Sequence, residues 1–292
     1  MYSQDETISA VLRFYQEVIR HPYLNDDALI IPSPSGWDSI NIQGKTETVL
    51  ELLRHLPYLR AEKRFDELII HWETVPICYP HHQDYHEIYP LPAHCVYLAH
   101  SFDREGPSLI LDTNEGTLTE FYRTGSHITI NDEDYEALPE PDKWKAHRTS
   151  PITEFLDTWA RRYEKLVWML APNPSGRPMT GRFYSRAKSS AEEEELGRQG
   201  QLEPWPLPED IHPDDDDDAN ENENELDREQ REERIRHRRH VADVYNIYLR
   251  YGWPNHFDKE RCRVELLELE KMRDAYDKRR MDEANPDAEL FD

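Results

Sequence analysis

Cysteine is scarce in this chain: three residues in 292, at Cys78, Cys95 and Cys262. They are too few and too scattered for a disulfide framework, which points to a reducing compartment. Long apolar runs are also missing. No stretch approaches the roughly 18 residues that cross a bilayer. The opening Met1-Tyr2-Ser3-Gln4-Asp5-Glu6 lacks the basic region and apolar core of a signal peptide. A cytoplasmic or nuclear protein without a membrane partner is expected. Cations are in short supply as well: 35 Lys and Arg stand against 60 Asp and Glu, a formal net charge of -25. Non-specific binding to nucleic acid or anionic lipid needs a basic surface, so both are disfavoured. A basic protein partner fits the charge better.

Catalytic signatures are absent in turn. There is no Gly-x-Ser-x-Gly elbow and no dinucleotide glycine fingerprint. Gly44-Lys45-Thr46 resembles the end of a phosphate loop, but the glycine required five positions earlier is Ser39. An ordinary helix start explains it. His86-Glu87 lacks the second histidine of a zinc protease, because position 90 is proline. Asp112, Asn114 and Gly116 look like part of a calcium loop, yet position 123 is Arg rather than Glu. No catalytic or cofactor-binding residue is assigned, and no cofactor is implied.

What the chain does have is unevenly distributed. Residues 1–190 hold 28 acids and 19 bases, whereas residues 191–292 hold 32 and 16. Aromatic and β-branched residues concentrate in the first 170 positions, so the main core is expected there. Ile8, Val11, Leu12, Tyr15, Val18 and Ile19 recur at helical spacing between Glu6 and Arg20. Thr46 is a good cap for a second helix with the stripe Val49, Leu50, Leu53 and Leu56. From Glu67 the period changes to two. Leu68 to Trp72 and His94 to His100 read as strands. Ser108 to Asp112 and Thr117 to Tyr122 flank Thr113-Asn114-Glu115-Gly116, which is hairpin chemistry. A helix is predicted after Ser150, which can cap it, with Pro151 suited to its first turn and Ile152, Phe155, Leu156, Trp159, Tyr163, Leu166, Val167 and Leu170 on one face.

Beyond Pro172 the composition turns polar. Glu192 to Glu195 and Asp214 to Asp218 are acidic runs, and no apolar periodicity survives between about 198 and 228. A helical hairpin follows: Glu229 to Tyr251, closed by Gly252, then a helix capped by Asp258 and running to about Asp282. Residues 283–292 form an acidic tail. The expected organisation is therefore an α+β domain over 1–172, with helices on a mostly antiparallel sheet. An acidic disordered linker over 173–228 then joins it to a hairpin over 229–282.

Two clusters carry possible chemistry. His71, His81, His82, His86, His94 and His100 lie close to Cys78 and Cys95. These are zinc-type donors, and Cys78-x-x-His81 has a possible ligand spacing, but no second compact pair follows. Strand neighbours point to opposite faces, so His94 and Cys95 are not expected to share an ion. A Tyr-, Pro- and His-rich loop over the sheet edge is the simpler reading, and no metal ligand is assigned. The run Arg234 to His240 could serve nuclear import. Glu229, Glu232 and Glu233 precede it at salt-bridging distance on a helix, so a solvated, paired face is favoured.

Leu109-Ile110-Leu111-Asp112, the Gly116 turn, the return strand Thr117 to Tyr122, and Pro151-Ile152-Thr153-Glu154-Phe155-Leu156 together resemble the SUKH superfamily. It includes fungal cell-wall-synthesis regulators and bacterial immunity proteins. The likeness covers about fifty residues. The Ser35-Gly36-Trp37 turn, the segment Leu53 to Tyr58 and the end Tyr251-Gly252-Trp253-Pro254 are also similar to a group of fungal proteins that brings no assigned function. The resemblance implies an α+β protein-binding scaffold without catalysis. A non-enzymatic regulatory scaffold for a basic partner is thus the leading expectation. The alternatives are a metal-dependent hydrolase using residues 71–100 and a nuclear regulatory factor.

Overall fold

The computed structural model describes residues 2–38, 40, 42–62, 66–81, 89–125, 127–176, 179–206 and 225–284. Helix α1 (Gln4–Arg20) starts where the Ser3 hydroxyl accepts from the Glu6 backbone N–H, and it buries Ala10, Val11, Phe14 and Val18. A short strand β1 (Leu29–Ile30) leads to α2 (Glu47–His55), capped by Thr46 as its sequence predicts. Strand β2 (Tyr58–Leu59) pairs antiparallel with β1.

The principal sheet is an antiparallel meander. It runs β3 (Thr74–Pro76), β4 (Cys95–Ser101), β5 (Ser108–Asp112) and β6 (Thr117–Phe121). After α3 (Asp132–Ala137), β7 (Thr149–Pro151) completes the edge. The β5–β6 turn is the expected one. Gly116 adopts φ +70°, and Asp112 Oδ1 accepts from the N–H groups of Asn114 and Glu115 at 2.8 and 3.2 Å. The α+β class is as expected: α1 and α4 (Ile152–Glu164) pack together over the sheet, around Phe14, Trp159 and Tyr163.

Three local expectations change. Leu68, Ile69 and Ile70 are buried, but they form no strand. Two of their carbonyls accept tyrosine hydroxyls instead: Tyr23 donates to Ile69 and Tyr163 to Ile70. Buried backbone must be satisfied, and side chains do it here as well as a ladder would. Ser150 does not cap α4; it pairs with Leu118 in β7. The helix also ends early, at Glu164. Leu166 turns the chain at φ +48°, and Trp168–Pro172 becomes strand β8, paired with β9 (Gly181–Ser185). Leu166, Val167 and Leu170 are therefore core residues of a turn and a strand.

The β8–β9 hairpin straddles residue 172. The following acidic run is helix α5 (Ser190–Gly197), capped by Ser189. Glu193 reaches back into the core, accepting from Trp168 Nε1 at 2.7 Å and pairing with the buried Arg162 at 3.2 Å. The acidic stretch 207–224 and the tail 285–292 lie outside the described residues. Two long helices, α6 (Glu225–Arg250) and α7 (Lys259–Ala284), form the expected hairpin, with Gly252 at φ +87° in the turn.

This hairpin docks on the rest of the chain. Trp168 and Leu170 of β8 face the main core, while Met169 and Ala171 join Val241, Val244, Tyr245, Tyr248 and Leu266 in a second core. Arg20 lies over the Trp253 ring at 4.3 Å and donates to the Pro254 carbonyl, and Trp253 Nε1 donates to Glu164 O. No helix among the described residues is long and apolar enough to cross a membrane.

Candidate functional site

The cysteines are the natural place to seek a nucleophile, and all three are buried. Burial pushes the Cys78 and Cys95 thiols up to about 12 and raises Cys262 as well. A thiol so held is protonated at neutral pH and is a poor nucleophile. The histidine-rich segment is not a single cluster. His71 is half-buried against the core, its ring 4.5 to 4.8 Å from those of Trp159, Trp168 and Phe183. Burial, aided by the Arg162 charge, lowers it to about 3. His100 turns to the Ser101 carbonyl. His82 and His86 fall outside the described residues.

One expected separation does not hold. His94 sits in a turn just before β4 rather than inside it, so the alternation of strand faces does not apply to it. Its Nε2 lies 3.6 Å from Asp112 Oδ2. Asp112 is directly opposite Cys95 across the β4–β5 ladder. Ligand atoms of His94, Cys95 and Asp112 all fall within 4.8 Å of one another, and among the described residues they form the single such group of three. The sequence signal for the third member is the strand-ending aspartate, whose sequence neighbours mark a hairpin turn and do not point to His94 or Cys95.

A second concentration of polar groups lies between β9 and the hairpin. Glu270 is fully buried and receives Arg182 and Tyr184 at 2.7 Å and His240 at 2.9 Å. Burial opposes its charge, but the bonds from His240, Tyr184 and Arg182 outweigh that and leave its carboxyl below the usual range. Arg182 also pairs with Asp274, and Arg273 with Asp277. The adjoining open cleft of about 480 Å³ is walled by Trp72 and Phe183. Its guanidinium groups are already neutralised, so the network reads as a clasp between β9 and α7.

The wider surface follows the same rule. Arg13 pairs with Asp157, Arg54 with Glu47 and Glu51, Lys143 with Glu140, Lys145 with Asp142, and Lys259 with Asp26. Within the basic run, Arg236 pairs with Glu232 and Glu233, and His240 turns inward to Glu270. Even with every base paired, 25 carboxylates remain over the whole chain. Helix α3 is one place where they surface: Asp132, Glu133, Asp134 and Glu136 are all exposed there, and its last turn carries no base. The chain matches no family model, no curated protein and no solved structure.

Proposed function

We propose that the protein is a non-enzymatic interaction scaffold whose partner is a basic protein. The observation that carries this reading is the acid surplus of the chain, together with the pairing of many of its described cations to carboxylates. Such a charge balance projects a negative field that attracts a cationic face and repels phosphate backbones. The buried, protonated thiols and the packing of His71 among aromatic rings support a role without nucleophilic catalysis. The strand, glycine turn, return strand and helix that carry the SUKH likeness occur in order as β5, Gly116, β6 and α4. They support the scaffold reading, and a reducing cytoplasmic or nuclear location is part of the same proposal.

The test is capture by the full-length chain from nuclease-treated native extract, with stoichiometry and cross-links read by mass spectrometry across a salt series. A basic protein at near one-to-one yield, released as salt rises, is expected. The substitutions Asp132→Asn, Glu133→Gln and Glu136→Gln together should weaken its retention. Capture that requires nucleic acid, or that is indifferent to salt, overturns the proposal.

A further inference from the structure

The geometry points to a divalent-metal site of the zinc class formed by His94, Cys95 and Asp112, a binding function separate from the scaffold reading. Zinc takes sulfur, imidazole nitrogen and carboxylate oxygen together, at about 2.0 to 2.3 Å from the ion. Tetrahedral ligands at those lengths stand about 3.3 to 3.8 Å apart. The 3.6 Å separation of His94 Nε2 and Asp112 Oδ2 already falls in that range. The whole trio lies within 4.8 Å, so a small side-chain rotation closes it around an ion.

The backbone around the trio is fixed in ways a metal site requires. Cys95 and Asp112 are a directly opposed cross-strand pair. The His94 carbonyl accepts both the N–H and the hydroxyl of Thr113, at 3.0 and 2.8 Å, which anchors the turn beside the strand. Asp112 Oδ1 is occupied by the Asn114 and Glu115 N–H groups. That leaves Oδ2 aimed at His94, and it orients the carboxylate as outer hydrogen bonds orient metal ligands elsewhere. The side chain of His94 is 30% exposed and that of Asp112 11%. An ion would enter from the His94 side and keep a fourth position toward solvent.

The charges around the trio are mixed. Burial, and after it Asp112, holds the Cys95 thiol protonated, and Lys45 and Lys145 act on it in the opposite sense. Binding exchanges the thiol proton for the cation: the S–H bond breaks, the sulfur lone pair forms the metal bond, and one proton passes to solvent. Thiolate and carboxylate then supply two negative charges against the two positive charges of the ion.

The experiment titrates Co²⁺, then Zn²⁺, into reduced, metal-stripped full-length protein and follows ultraviolet and visible absorption. Cobalt bound to a thiolate gives a sulfur-to-metal charge-transfer band that cobalt on surface histidines does not give. One equivalent of cobalt with this band, displaced by one equivalent of zinc, is expected. Cys95→Ser should abolish the band. His94→Asn, at a partly exposed side chain, should weaken cobalt binding at least tenfold while leaving the melting curve of the metal-free protein in place. Binding without the band, a band that survives Cys95→Ser, or less than one tenth of an equivalent bound would each overturn the assignment.

Discussion

His21 Nδ1 lies 2.7 Å from the hydroxyl of Tyr248, joining the end of α1 to the last turn of α6 across 227 residues of chain. The same hydroxyl donates to the Leu170 carbonyl of β8 at 2.8 Å. One phenol thus links the first helix, the strand shared by both cores and the C-terminal hairpin. Tyr248→Phe keeps the ring and removes only these bonds. Leaving a buried partner unsatisfied costs about 1 to 3 kcal/mol. Urea unfolding should show a lower midpoint with an unchanged slope; an unchanged midpoint would mean that the hairpin does not depend on this contact.

Glu270 gives a larger effect. Glu270→Ala strands Arg182, His240 and Tyr184 around a cavity. Removing one partner of a buried charge pair costs about 3 to 5 kcal/mol. The double variant with Arg182→Met should recover part of that loss, because the guanidinium that faced the buried carboxylate, and keeps only Asp274, is then replaced by an apolar chain. Additive losses in the resulting cycle would rule out direct coupling.

Acid should weaken the fold in two stages. His21 and His71 are held neutral by burial, with folded values below the usual histidine range. Their contribution is complete above about pH 6.5 and is lost as pH falls, toward about 3 for His71. Each can add a slope of up to about 1.4 kcal/mol per pH unit. Glu270 acts below them: its lowered value makes its contribution complete above the ordinary carboxylate range and lost as pH falls through the folded value. Unfolding free energies measured from pH 8 to 4 should decline below about 6.5, and His71→Leu should flatten the upper part of that decline. A pH-independent stability between 6.5 and 5 would contradict the buried neutral histidines.

Thiol accessibility offers a quick check of the packing. Cys78, Cys95 and Cys262 are each at most 6% exposed. A thiol reagent at pH 8 should label none of them in the native protein within minutes and all of them in urea. Rapid labelling of Cys262 alone would indicate that the hairpin opens independently of the main core.

Much of the architecture is local enough to be legible in the order of residues. Ser3 and Thr46 cap the helices that their apolar stripes announce. Gly116 and Asp112 specify a hairpin within a handful of positions, and Gly252 and Asp258 delimit the last two helices. Net charge likewise needs no fold to be read. The strand β8 is different. Trp168 to Pro172 are buried throughout, because Trp168 and Leu170 face one core and Met169 and Ala171 the other. A segment buried on both sides has no polar face, so its period cannot tell a strand from the end of a preceding helix. Its pairing partner, Gly181–Ser185, lies in a stretch whose own composition reads as a linker.

The same distinction separates the other surprises. Leu68 to Ile70 are apolar enough for a strand, yet hydroxyls from Tyr23 and Tyr163, distant in sequence, take two of their carbonyls. Glu192 to Glu195 look like solvated charge until Arg162 and Trp168 draw Glu193 inward. His94 and Cys95 converge because the chain is still turning at His94 and enters the ladder one residue later. Caps, turns and charge balance are written within a few residues of one another. Which face a doubly buried strand shows, and which donors meet at its end, depend on partners dozens to hundreds of residues away, and those meet only when the two cores close around β8.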